Sequence, residues 1–130
     1  MAYNKQDYIN YRIQKAKETF SEVEVLINNE FWNTSVNRMY YACFYAVSAL
    51  LITQNVESSS HSGTRQKFGE LYVKTGKIDR TLAKHYTDLF EKRSKGDYND
   101  FFDFDRETVL RLYPLTRSLL LCIEELILET

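Results

Sequence analysis

Apolar residues fall at Ile9, Ile13, Ala16, Phe20, Val23 and Ile27, three or four apart with charges between them. This spacing predicts an amphipathic helix from Asp7 to about Asn29, stopped by "NNEFWN". The next pattern differs. From about Trp32 to Gln54 the stripe Val36, Tyr40, Phe44, Val47, Leu51 is filled in by Met39, Cys43, Ala46 and Leu50. A helix apolar nearly all round belongs in the middle of a bundle or at a helix–helix interface.

The run "NVESSSHSG" predicts a loop, with Ser60 or Ser62 capping a short third helix from roughly Gly63 to Lys74. In "KTGK", Gly76 suits the left-handed conformation that ends helices. Asp79 caps a fourth helix, about Arg80 to Lys95, with Leu82, Tyr86, Leu89 and Phe90 inward. "GDYNDFFDFD" predicts a solvated loop with its phenylalanines turned inward. Asp105 then caps a last helix built on Val109, Leu112, Leu119, Ile123 and Leu126. Pro114 inside that pattern predicts a kink or a break near Leu110 to Tyr113. Four glycines and one proline do not supply the turns of an all-β fold. The expected class is all-α, an antiparallel up-and-down bundle of four to five helices, with residues 1–130 forming one domain.

Composition narrows the function classes. At 44% hydrophobic and 27% charged residues the chain is globular. A net charge of −1 gives no global basic field, so any RNA contact needs a local patch. Ten tyrosines belong at core edges or interfaces. Cys43 and Cys122 sit in apolar helical runs without metal-ligand spacing and read as buried thiols. "MAYNKQDYINYR" is polar and carries no signal peptide, and no apolar run is long enough to span a bilayer. A cytoplasmic protein without membrane contact is expected.

No Gly-rich phosphate loop, CxxC, HExxH or serine-nucleophile motif appears, so neither metal nor cofactor is expected. His85, between Lys84 and Tyr86, reads as a surface or partly buried structural residue. His61 precedes a helix start, with Arg65 one turn on; the pair either orders the loop or faces a phosphate or a partner. Arg93 and Asp97 are four apart and meet on one face if the helix persists through Gly96. They form a structural pair ordering the loop or part of a site. Tyr98 beside them reads as a ring packed on the bundle end.

Three stretches, "RMYYACFYAVSALL" (Arg38 to Leu51), "SHSGTRQKFGELYVKTGKID" (Ser60 to Asp79) and "LFEKRSKGDY" (Leu89 to Tyr98), together resemble a HEPN domain. The resemblance is closest to the small stand-alone HEPN proteins often paired with a minimal nucleotidyltransferase. It covers nearly the whole chain. It implies a dimerising helical bundle in a family that includes metal-independent ribonucleases and toxin–antitoxin components. Active members carry an Arg followed four to six residues later by a His. Here the Arg matches Arg93, but Tyr98, preceded by Asp97, stands where the His would be. Metal-free cleavage needs a base for the 2′-hydroxyl proton and a cation on the phosphate. A phenol, titrating near pH ~10, is a poor base. In some members a tyrosine near the histidine accepts a nucleotidyl group from the partner, although Tyr98 does not match that position.

Three functions follow as expectations: a component of a HEPN–nucleotidyltransferase module with an RNA- or nucleotide-related role; a non-catalytic binding or interaction domain; or a weak metal-independent ribonuclease. The candidate catalytic residues are Arg93, Asp97 and Tyr98, and the candidate phosphate- or partner-binding residues are His61 and Arg65. A homodimer is expected from the aromatic surface of Tyr40, Tyr41, Phe44, Tyr45, Phe101 and Phe102.

Overall fold

A computed structural model describes residues 4–130; the first three residues of the polar N-terminal stretch lie outside the described residues. Five α-helices make the bundle: α1 (Lys5–Asn28), α2 (Trp32–Thr53), α3 (His61–Phe68), α4 (Arg80–Tyr98) and α5 (Arg106–Leu128). There is no strand among the described residues. α1 starts on a capping box, in which Asn4 accepts from the Asp7 N–H and Asp7 accepts from the Asn4 N–H. Its buried face includes Ile9, Ala16 and Val23. α2 is the central helix and packs on each of the other four. Val36, Met39, Tyr40, Cys43, Val47 and Leu50 are all fully buried along it. Truncating such a residue to Ala would cost about 2–5 kcal/mol.

The third helix begins two residues earlier than its sequence predicts. Ser60 is the cap, accepting from the Gly63 N–H at 2.9 Å, so His61 is its first residue. α3 runs directly into a π-helical turn, Gly69–Val73. Gly76, at φ +77, then reverses the chain as expected.

Two helix ends differ from expectation. α4 does not stop before Gly96 but continues to Tyr98. A side chain at Gly96 would meet the Phe104 ring at 2.9 Å, so the glycine serves close packing rather than termination. Asn37 on α2 also holds Asp97 through both carboxylate oxygens, at 3.2 and 3.0 Å, which supports the last turn. α5 passes through Pro114 without a break. The Leu110 carbonyl loses its N–H partner, but Leu110 and Pro114 are both exposed and water can replace it.

The loop after α4 is clamped by Asn33, which donates to the Phe102 carbonyl and accepts from the Phe104 N–H. Phe104 turns inward as predicted, whereas Phe101 is 98% exposed. Of the aromatics assigned to an interface, Tyr40 is absorbed by the chain's own core, and Tyr41, Phe44, Tyr45 and Phe102 are half-buried. Cys43 is buried and Cys122 only half-buried. No helix among the described residues is long and apolar enough to cross a membrane.

Candidate functional site

The C-terminal end of α4 carries Arg93 and, on its extra turn, Asp97 and Tyr98, against the first half of α2. The Arg93 side chain is 6% exposed, and its Nη1 lies 3.7 Å from Asp97 Oδ2. Its Cζ lies over the rings of Tyr40 at 4.9 Å, Tyr41 at 5.6 Å and Tyr98 at 5.9 Å. Each ring face attracts the cation. The buried Nε nevertheless has no hydrogen-bond partner. The guanidinium is thus desolvated, enclosed by aromatic faces and only loosely paired, a costly state for a buried charge.

His61 joins this cluster from α3. Its Nδ1 is 2.7 Å from the Tyr40 hydroxyl, and its ring packs on Phe44 at 4.6 Å and against Tyr41 at 5.7 Å. Burial, and then the Arg93 charge, lowers the His61 pKa, so the imidazole is neutral at pH 7. Burial raises Tyr40 to about 12, opposed first by the neighbouring Tyr86 hydroxyl and then by Arg93 and Arg65. Tyr40 therefore keeps its proton, and its hydroxyl lies 2.7 Å from His61 Nδ1, an acceptor when the imidazole proton sits on Nε2. Tyr86 stacks on Tyr40 at 5.9 Å and interacts with it electrostatically, yet its own hydroxyl makes no bond of hydrogen-bonding geometry. With Nδ1 accepting from Tyr40, the neutral ring carries its proton on Nε2 and offers it as a donor.

Arg65, one turn along α3, lies over the Phe90 ring at 4.4 Å, and Phe90 in turn packs edge-on to Tyr40 at 6.0 Å. His61, Arg65, Arg93, Asp97 and Tyr98 are therefore brought together around Tyr40. Tyr98 is 77% exposed, which corrects its reading as a packed ring; the helix ends on it and only its Arg93 face is covered. Tyr40, Asn37 and Phe44 were missed as site residues because they lie on helix α2, where an apolar stripe reads as core.

His85 is corrected in the other sense. It is buried, not on the surface, and its Nε2 lies 2.8 Å from Thr116 Oγ1. Burial lowers its pKa to about 4, with Lys92 and Arg111 adding to the effect and Asp88 opposing it. Its role is structural.

Among the described residues no group of three or more His, Cys, Asp or Glu side chains could hold a metal ion. An apolar cleft of about 250 Å³ lies between α1, α2 and α5, with a Lys17–Glu124 ion pair of 2.8 Å at its edge. It lacks the unsatisfied polar groups that distinguish the Arg93 cluster.

A helical bundle with a central apolar helix and a buried arginine near the end of α4 defines the class. The chain belongs to the HEPN domain family, whose profile matches residues 9–126. It is 39% identical over 123 residues to a UPF0332 protein of Thermotoga maritima, covering 95% of this chain and 93% of that protein. A protein of Methanocaldococcus jannaschii named "Putative toxin" is 33% identical over 95 residues, covering 73% of this chain and 65% of that one. A second protein so named from the same organism is 34% identical over 86 residues, 66% of this chain and 64% of its own length. The match therefore spans just under two thirds of those two proteins.

Proposed function

We propose that this chain, acting as one helical domain, is the RNA- or nucleotide-directed component of a toxin–antitoxin-type module, and that the Arg93 cluster is its phosphate site. The observation that carries this reading is the under-satisfied guanidinium of Arg93, beside an imidazole whose Nδ1 meets the Tyr40 hydroxyl. Arg93, Arg65 and His61 Nε2–H are all donors, and a phosphate oxygen completes what the protein leaves open. Asn37 already donates to both carboxylate oxygens of Asp97, so a phosphate that takes the place of Asp97 at Arg93 leaves that carboxylate partnered. Exposed Tyr98 offers a face on which a base stacks.

The names of the M. jannaschii relatives support the toxin–antitoxin setting. The partner is a cytoplasmic nucleotidyltransferase, and the working form is a homodimer with two copies of Arg93 in one groove. Tyr98 is accessible to such a partner. Its phenol oxygen would attack the α-phosphorus of ATP and expel pyrophosphate, leaving an AMP group whose phosphate Arg93 holds. Binding of single-stranded RNA, measured by fluorescence anisotropy, should be lost in Arg93→Ala. Equal binding by both proteins would end this reading.

A second reading, weak metal-independent ribonuclease, is favoured by the meeting of His61 with Arg93. It requires the other tautomer, with Nδ1–H donating to Tyr40 and Nε2 free to take the 2′-hydroxyl proton. Cleavage in EDTA that disappears in both Arg93→Ala and His61→Ala would support it. Cleavage persisting in either would count as contamination.

A further inference from the structure

Arg38 lies on α2 one residue after Asn37 and three before Tyr41. Residues three apart share a helix face, and the Arg38 Cζ lies over the Tyr41 ring at 5.2 Å. Arg93 lies over the same ring at 5.6 Å, so one aromatic side chain seats two guanidiniums. Neighbours in a helix do not face each other. Arg38 nevertheless turns back on Asn37 and donates to its Oδ1, from Nε at 3.0 Å and from Nη2 at 2.8 Å. It forms no ion pair among the described residues.

That contact decides what Asn37 can do. An arginine only donates, an ionised carboxylate only accepts, and a primary amide has one end for each. With Oδ1 on Arg38, the donor end Nδ2 meets Asp97, at 3.2 and 3.0 Å from its two oxygens. Reversing the amide would set donor against donor at Arg38 and acceptor against acceptor at Asp97. The row Arg38–Asn37–Asp97 therefore runs in one direction.

Asp97 and Arg93 are four apart on α4, a spacing at which an acid and a base pair directly. Here they do not. Their approach of 3.7 Å, from Nη1 to Oδ2, is outside hydrogen-bond range, while the same Oδ2 accepts from Asn37 at 3.0 Å. The carboxylate is bonded to a neutral amide on another helix, although a guanidinium with an unpartnered Nε lies beside it. Of the two donors the guanidinium is the stronger.

We propose that Arg38 and Asn37 are positioning residues, which withhold Asp97 from Arg93 and keep that guanidinium open to an anion. Arg38 fixes the amide, and the amide holds the carboxylate. The clamp stands on geometry alone; its use rests on the phosphate reading of Arg93, and the test separates the two.

The experiment follows the Arg93 Nε–H of the full chain by ¹⁵N NMR, first without ligand and then with inorganic phosphate as the probe. The proteins are the wild type, Arg38→Met, Asn37→Leu, Asp97→Ala and the double variant Asn37→Leu, Asp97→Ala. Arg93→Met identifies the signal, and thermal midpoints confirm folding. Without ligand, Asn37→Leu should shift the signal as Asp97 closes on the guanidinium, and Arg38→Met should shift it the same way by less. The two variants lacking Asp97 should share one position. Phosphate should bind Asn37→Leu roughly tenfold more weakly than the wild type, the worth of one charge-assisted hydrogen bond. Removing Asp97 as well should restore binding to at least the wild-type level.

A double variant that binds phosphate as weakly as Asn37→Leu reduces Asn37 to a support for the end of α4 and overturns the clamp. An Arg93 signal that Asn37→Leu leaves in place overturns it too. A signal that moves as expected, but that phosphate disturbs in no variant, leaves the clamp standing and overturns the phosphate reading of Arg93 instead.

Discussion

Both histidines of this chain bond a hydroxyl, yet their surroundings have opposite characters. His85 is sealed between α4 and α5. Its bonded neighbour Thr116 also donates to the Leu112 carbonyl and lies 3.4 Å from the Met39 sulfur. No charged group is buried with it. His61 is half-buried, borrows its partner from Tyr40 and shares two aromatic rings with a buried, loosely paired arginine. A closed polar nest is what a bundle builds for uniqueness of packing. An open nest around an under-satisfied cation is the arrangement that the proposed phosphate site would use.

The largest expected effect separates the two by pH. The folded pKa of His85, about 4, lies below its unfolded value of 6.5. The unfolded chain therefore takes up the proton first as pH falls. The contribution of His85 is fully present above pH 6.5 and is lost as pH drops towards 4. The total is on the order of 3 kcal/mol. Urea unfolding of the wild type and His85→Gln across this window should show most of the difference in slope; parallel curves would contradict the closed nest.

Next comes Arg93→Met, which keeps the volume and removes the charge. RNA affinity should fall by about 1.5–3 kcal/mol, the worth of charge-assisted phosphate bonds. Stability should be unchanged or higher, because a loosely paired buried cation is replaced by an apolar chain. A variant that is both less stable and fully able to bind RNA would make Arg93 a structural residue.

A smaller effect probes the turn that positions the site. Gly96→Ala places a methyl group 2.9 Å from the Phe104 ring, and stability should fall by about 1–2 kcal/mol. The same change at a glycine that merely ends a helix would cost less, and a stabilised variant would remove the packing argument. Tyr98→Phe should leave stability within about 0.5 kcal/mol, since the side chain is exposed. Intact mass after co-expression with a nucleotidyltransferase should show added AMP in the wild type and none in Tyr98→Phe.

Most of the fold was legible because each long helix carries its own stripe, and α2 announces its central place by being apolar all round. The boundaries went astray where tertiary contacts outweighed local chemistry. Gly96 looks like a stop, but Phe104 and Asn37 hold the helix open for one more turn. Pro114 looks like a break, but it falls on an exposed face. The candidate site was legible in part. Arg93 and Asp97 lie four apart on one helix, so their pairing is local. The approach of His61 to Arg93 depends on how α3 crosses α2, which no spacing encodes. Tyr40 is read first as core, and only its bond to His61 shows a second role. His85 could have been found: Leu82 and Leu89 stand three before and four after it, on the inner stripe of α4.

With only two histidines, ¹⁵N-labelled imidazole NMR observes both nests in one sample. Adding single-stranded RNA to the full chain should shift the His61 Nε2 signal as that N–H finds a phosphate. The signals of His85 should stay in place. In Arg93→Met neither histidine should respond. RNA bound with both histidines unmoved, or with His85 shifting alongside His61, would contradict the phosphate site at its centre.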